Sequence, residues 1–173
     1  MKQKDIGKYF SFKFKYVNEV TTYSGYLLDF NSDWVLLKYN PDDYEIDGYI
    51  ILRNKDITHY KRDNKDLFTE KILDLKGHRP KRNEKIPIAD IITIINYLTD
   101  KFGAFQFDMR SNTLCWLGKV KKITGQTLDL YNLTPRGKWD NNLKPFPIGN
   151  IRTIQFDTDY INSLMLIGRT KKR

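Results

Sequence analysis

Phe10-Ser-Phe-Lys-Phe-Lys-Tyr16 places four aromatic residues at every second position, with Ser11, Lys13 and Lys15 between them. A period of two sends alternate side chains to opposite faces of an extended chain, so this stretch predicts a strand with one buried aromatic face. The same habit continues outward. Thr22 to Phe30 reads as a second strand, in which Gly25 permits a bend or a close backbone approach. Trp34 to Tyr39 is an apolar run suited to a central strand, and Asn40-Pro-Asp-Asp43 is a turn in which Pro41 presets φ and the Asp side chains bond nearby amides. Tyr49 to Leu52 and Ile57 to Tyr60 complete five short strands. Eleven Tyr and ten Phe suit such pleated, half-buried surfaces.

Sliding the chain against itself by 93 residues brings a second set of apolar positions into line. Phe12, Phe14 and Tyr16 fall on Phe105, Phe107 and Met109, and Tyr23 and Gly25 on Trp116 and Gly118. Leu27 falls on Val120, Phe30 on Ile123, and Val35 and Leu37 on Leu128 and Leu130. One inserted residue then moves the offset to 94: Pro41 meets Pro135, Ile57 meets Ile151, Tyr60 meets Ile154 and Leu67 meets Ile161. Few pairs are identities; what recurs is apolar character, one glycine and one proline, in order. The expected architecture is mainly β, two small five-stranded barrels in tandem, each with an equivalent core, and a helix between them.

The divisions follow from composition. Residues 1–74 form the first module and 75–86 a basic linker containing Lys76-Gly-His-Arg-Pro-Lys-Arg-Asn83. Residues 87–168 carry a helix and the second module, and 169–173 a basic tail. Pro87 suits a first helical turn, and Ile88, Ile91, Ile92, Ile95 and Leu98 make one apolar stripe, so the helix is expected over about 88–101. Segments 66–73 and 159–167 read equally as helix or strand.

At Gly25 a family resemblance begins. Gly25-Tyr-Leu-Leu-Asp-Phe-Asn-Ser-Asp-Trp-Val-Leu-Leu37 resembles the first signature of the Sm-like proteins, and Ile51-Leu-Arg-Asn-Lys-Asp-Ile57 the second. The second half keeps Gly118-Lys-Val-Lys-Lys-Ile123 and Phe146-Pro-Ile-Gly-Asn-Ile151. The resemblance implies five-stranded barrels preceded by a helix, binding single-stranded RNA in rings, with Arg53 on the signature arginine. Three positions depart from the pattern. Asn31 stands where an acidic residue belongs, Val35 where the base-contacting asparagine belongs, and Asn54 where a glycine belongs. An SH3-like barrel of another kind produces a similar pattern.

The net charge of +9 is unevenly placed. Residues 1–75 hold 12 basic and 13 acidic groups, a net of −1, whereas residues 102–173 hold 12 and 5, a net of +7. Such asymmetry suits a polyanionic partner, and equally a solvated basic surface. Thr134-Pro-Arg-Gly-Lys-Trp-Asp-Asn-Asn142 reads as a hairpin loop presenting Arg136, Lys138 and Trp139, with Lys119, Lys121 and Lys122 before it. Cations there would neutralise phosphates while the indole stacks on a base; the competing reading folds Trp139 back onto its barrel. With Arg53, these are the expected RNA-binding residues.

Catalysis finds little support. His59 and His78 are the two histidines, at a strand end and in the linker, and no Cys/His spacing suits zinc. No Gly-rich phosphate loop occurs. Asp43-Tyr-Glu-Ile-Asp-Gly48 resembles the start of a calcium loop, but its twelfth position is Asn54 and its flanks read as strands, so a charged hairpin tip is expected. Cys115, within the apolar run Leu114 to Leu117, is expected to be buried. No catalytic residue, metal or cofactor is expected. Asn132-Leu-Thr134 is read as a chance sequon, because no secretory segment precedes it, and the longest apolar run, 86–95, is too short and too interrupted to span a bilayer. A cytoplasmic, non-catalytic binding protein is expected, its partner single-stranded RNA at the basic second module. The alternative is a protein-interaction or assembly module that pairs through exposed strand edges.

Overall fold

The structure, a computed structural model, describes residues 1–81, 85–142 and 145–170. It is mainly β, with 40 % strand against 26 % helix. The first half runs β1 (Tyr9–Lys15), β2 (Val20–Phe30), β3 (Trp34–Asn40), β4 (Tyr49–Arg53), β5 (Ile57–Lys61) and α1 (Asn64–Leu75). The second half runs α2 (Ile91–Phe102), β6 (Phe105–Asp108), β7 (Cys115–Thr124), β8 (Thr127–Leu133), β9 (Trp139–Asp140), β10 (Phe146–Pro147), β11 (Thr153–Phe156) and α3 (Asp159–Thr170). Three-residue 3-10 turns, Asn54–Asp56 and Ile148–Asn150, precede β5 and β11.

The strands do not make two separate closed barrels. They join in one open antiparallel sheet of order β5-β1-β2-β3-β4-β11-β6-β7-β8-β10, with β9 also on β8. The two halves meet where β4 pairs with β11, Leu52 opposite Thr153 and Tyr49 opposite Phe156. Both strands are short and apolar on the inner face, and each would otherwise expose a row of unpaired amides. Pairing them satisfies both rows and stacks Tyr49 on Phe156, ring centroids 5.1 Å apart.

The core follows the seam. Phe10, Phe12, Phe14 and Tyr16 bury against Tyr23, Leu27, Val35, Leu37, Ile50 and Leu52, all from the first half. Each such aromatic or aliphatic side chain contributes about 1.5–3 kcal/mol on leaving water. The larger cluster is shared: Trp34, Leu36 and Ile51 of the first half pack with Phe105, Phe107, Ile154 and Phe156 of the second and with Ile94, Ile95 and Leu98 of α2. The cores are therefore not the two equivalent ones the sequence pattern suggests.

Alternation explains what covers the other face. Tyr9 and Ser11 point away from Phe10 and Phe12, onto α1. Ser11 donates to Asp66 Oδ1 at 2.5 Å, Tyr9 N–H to Glu70 Oε2 at 3.1 Å, and Tyr26 OH to Asp74 Oδ1 at 2.6 Å. α1 starts with a reciprocal cap, Asp63 accepting from the amides of Lys65 and Asp66 while Asp66 accepts from Asp63. α3 covers the corresponding face of the second half, packing Ile161 and Met165 on Ala104, Leu117 and Leu133. The two segments whose pattern fitted either helix or strand are thus both helices. α2 starts three residues later than Ile88, because Asp90 caps it by accepting from Ile92 and Thr93; Ile86 and Ile88 anchor the preceding chain in the core.

The halves correspond closely in detail. Gly25 lies opposite Phe10 and Gly118 opposite Phe105, and the ladder between second and third strands slips at Leu27/Asp29 and again at Val120/Lys122, 93 residues on. The first strand is the exception. Phe10 and Phe12, rather than Phe12 and Phe14, occupy the places of Phe105 and Phe107, because Phe12 to Tyr23 spans two residues more than Phe107 to Trp116. Cys115 also differs from expectation. It is exposed, as is Leu114, while Leu117 is buried, since a strand that alternates cannot bury the whole run. Asp42 and Glu45 bridge at a hairpin tip whose carbonyls receive the Asn40 amide, and no metal-holding cluster of His, Cys, Asp or Glu occurs among the described residues. No helix among them is long and apolar enough to cross a membrane. Residues Arg82 to Glu84 of the linker and Lys171 to Arg173 of the tail lie outside the described residues.

Candidate nucleic-acid interface

The two segments carrying the Sm-like resemblance meet in space. Asn31 Oδ1 accepts from the amides of Asp33 and Trp34 at 2.8 Å each, fixing the β2–β3 turn. Asn54 N–H donates to Asp33 O at 2.7 Å, and Asn54 Nδ2 to Asn31 O at 3.0 Å. Arg53 lies across the Trp34 ring, 5.1 Å from its centroid, and donates from Nη1 to the Gly149 carbonyl of the other half. Stacking and a carbonyl partner hold this guanidinium at the seam.

Three further cations gather there. Arg152 donates its amide to Asp108 O at 2.9 Å, accepts from Arg53 N–H at 2.8 Å, and donates from Nη1 to Lys15 O at 3.0 Å. Lys55 projects from the 3-10 turn and Arg110 from the end of β6, both exposed. Together with Met109 and Gly149 they line a cleft of about 360 Å³. A second cleft of about 460 Å³ continues from Arg53 and Lys55 along Trp34 and Ile91, and the carboxylates of Asp33 and Asp90 line it as well. Asp56, mostly buried, lies 3.6 Å from Arg152, and Glu19 shares a smaller pocket with Arg110. Four cations and, among the described residues, no carboxylate line the first cleft, which leaves it positive.

Beneath the seam lies a buried polar knot. Asp108 Oδ2 accepts from Thr153 at 2.8 Å and from Tyr16 OH at 3.1 Å, and Tyr16 also bonds Tyr23 OH at 2.8 Å. Asp108 Oδ1 has no partner. Burial pushes the Asp108 carboxyl up to about 6, with the nearby Glu19 charge adding and the two hydroxyl bonds opposing. Burial likewise raises the Tyr16 phenol, with Asp108 adding, so Tyr16 serves as a hydroxyl donor. The knot joins first-half tyrosines to second-half Asp108 and Thr153.

The other expected residues lie apart from Arg53. Lys119 sits 5.1 Å above the Trp139 ring and Lys121 5.5 Å above Tyr131. Lys122 is exposed at the ladder slip, opposite Asp129. Arg136 and Lys138 are exposed on a tight turn closed by Gly137 N–H to Thr134 O at 2.8 Å. Trp139 is half-buried and its indole N–H donates to Gly168 O of α3 at 3.1 Å. That bond fixes the ring edge against α3 while Lys119 covers one ring face, so a base stacking on that face would have to displace the ammonium. Arg110 and Arg152 carried no signal in the sequence, each being an isolated cation, and Lys55 was passed over beside Arg53; only the β4·β11 pairing assembles them.

Comparison with protein-family models, with curated proteins and with solved structures returns no match in any of the three.

Proposed function

We propose that the chain is a tandem pair of Sm-like modules, fused edge to edge, that binds single-stranded RNA non-catalytically at the cationic seam. The observation carrying this reading is the cleft lined by Arg53, Lys55, Arg110 and Arg152 and, among the described residues, by no carboxylate. Duplication is supported by the paired glycines, the paired ladder slips and the paired 3-10 turns at offsets of 93 and 94. The Sm-like resemblance is supported by the contact between its two signature segments through Asn54 and Asn31. The four cations that line the cleft are hydrogen-bond donors, the chemistry that phosphates require. Trp34 is buried under Arg53, so the seam reads backbone rather than base and little sequence preference is expected.

The test is fluorescence anisotropy of a labelled single-stranded RNA against salt. Contacts with about three or four phosphates give a log–log slope of roughly −2 to −3 on single strands. No binding at low salt, where phosphate contacts are strongest, removes the reading.

A further inference from the structure

The clefts along the seam follow one another in a fixed order. The two larger ones share Arg53, Lys55 and Gly149, and a third of about 250 Å³ shares Val17 and Arg110 with the first. From one end to the other the trough presents Asp33, Asp90 and Ile91, then the four cations, then Glu19. Positive charge fills the middle, and carboxylates stand at both ends.

The two ends differ in what they leave free. Glu19 Oε1 already accepts from Ser111 Oγ at 2.9 Å and from Asn112 N–H at 2.7 Å, and Val17 N–H donates to Arg110 O at 3.4 Å. Those bonds tie the β1–β2 turn to the β6–β7 turn and occupy this end. At the other end Asp90 is taken up by its helix, Oδ1 accepting from the amides of Ile92 and Thr93 and Oδ2 from the Thr93 hydroxyl. Asp33 is not so used. It is exposed, and among the described residues its carboxylate receives one long bond, from Ser32 Oγ at 3.2 Å. An ionised carboxylate is an acceptor alone, so it takes sugar hydroxyls, its partners in dinucleotide sites, and repels phosphates.

A strand crossing the seam brings phosphates to both acidic ends, whereas a single nucleotide carries its charge at one end and hydroxyls at the other. The charge also matches. A nucleoside triphosphate has about four negative charges, one on each inner phosphate and up to two on the last. Four cations line the first cleft, and Arg53 and Lys55 stand where it opens into the second.

We propose that the seam also holds a free nucleoside triphosphate. Its phosphates lie on Arg53, Lys55, Arg110 and Arg152, its ribose hydroxyls on Asp33, and its base against the half-buried side chain of Ile91. Nucleotide and RNA then compete for the same cations, but nucleotide binding needs no strand.

Isothermal titration calorimetry on the full chain tests this, at low salt and free of divalent cations, with ATP, GTP, CTP and UTP, a 2′,3′-dideoxynucleoside triphosphate and inorganic triphosphate. Removing the ribose hydroxyls is expected to weaken binding about tenfold, the worth of a hydrogen bond to a charged group. Asp33→Ala is expected to cause the same loss for the ribonucleotide, no further loss for the dideoxy form, and no weakening of inorganic triphosphate. Arg110→Glu is expected to weaken all three ligands at least tenfold. Circular dichroism checks that the variants fold. Overturning results are no binding of any of the four nucleotides, inorganic triphosphate held as tightly as they are, or a ribose preference that survives in Asp33→Ala. RNA anisotropy run alongside separates the two readings: RNA that binds where no nucleotide does overturns this one alone, and a nucleotide that binds where RNA does not supports it alone.

Discussion

Replacing Gly25 or Gly118 with alanine is expected to cost roughly 3 kcal/mol of stability, at the upper end for overpacking substitutions. A methyl on Gly25 would lie 2.1 Å from the Lys38 carbonyl oxygen, and one on Gly118 2.1 Å from the Tyr131 carbonyl oxygen. Neither obstacle is a side chain that can turn away. Each is the backbone of the neighbouring strand, Lys38 paired on both sides and Tyr131 paired with Lys119, so the strands must part to admit the methyl. At roughly 2–4 °C per kcal/mol for a chain of this size, the midpoint of thermal unfolding should fall by about 10 °C in either variant. Gly149→Ala, with nothing within 4 Å of the added carbon, should leave the midpoint within a degree or two. Equal midpoints for all three would mean that the close approach of second and third strands is wrong in both halves.

The second large effect concerns Asp108. Its carboxyl stands raised from 3.8 to about 6, chiefly by burial, and a raised acid pKa gives the folded state the extra proton. Stability contributed by this group is therefore greatest below pH 4 and declines as pH rises through 6, by about 3 kcal/mol in all. Other carboxylates act in the opposite sense, so the informative quantity is the difference between wild type and Asp108→Asn. Urea unfolding at pH 4 and pH 7 should show the variant gaining on the wild type by roughly 2–3 kcal/mol as pH rises. The introduced carboxamide can keep the bonds from Thr153 and Tyr16 through its carbonyl oxygen, and its NH2 group would occupy the unpartnered side at both pH values. A difference that stays flat between the two would show that Asp108 is not charged in a buried seam.

The strands were legible because one face of each is buried, and alternation is the direct record of that burial. Their register was not. A slip of two residues leaves every aromatic on the same face, so Phe12 against Phe105 and Phe10 against Phe105 are equally good patterns; only the length of the β1–β2 turn decides between them. The joining of β4 to β11 was hidden for a related reason, since edge pairing is made by backbone groups that every residue carries. The candidate site inherits both limits. Lys119, Lys121, Lys122, Arg136 and Lys138 stand out as a run in the chain, yet Trp139 beside them is tied to Gly168. Arg53 was marked by its neighbours in the second signature-like segment. Arg110 and Arg152 have no such neighbours and become a site only at the seam.

The central claim is that RNA lies along the seam and not over the Trp139 loop. Photo-crosslinking of a uridine-containing single strand, with the modified peptides located by mass spectrometry, tests it most directly. The account predicts adducts within residues 53–55, 109–110 and 149–152, and their loss in a chain carrying Arg110→Glu with Arg152→Gln. Adducts confined to residues 134–139, unaffected by those replacements, would contradict it.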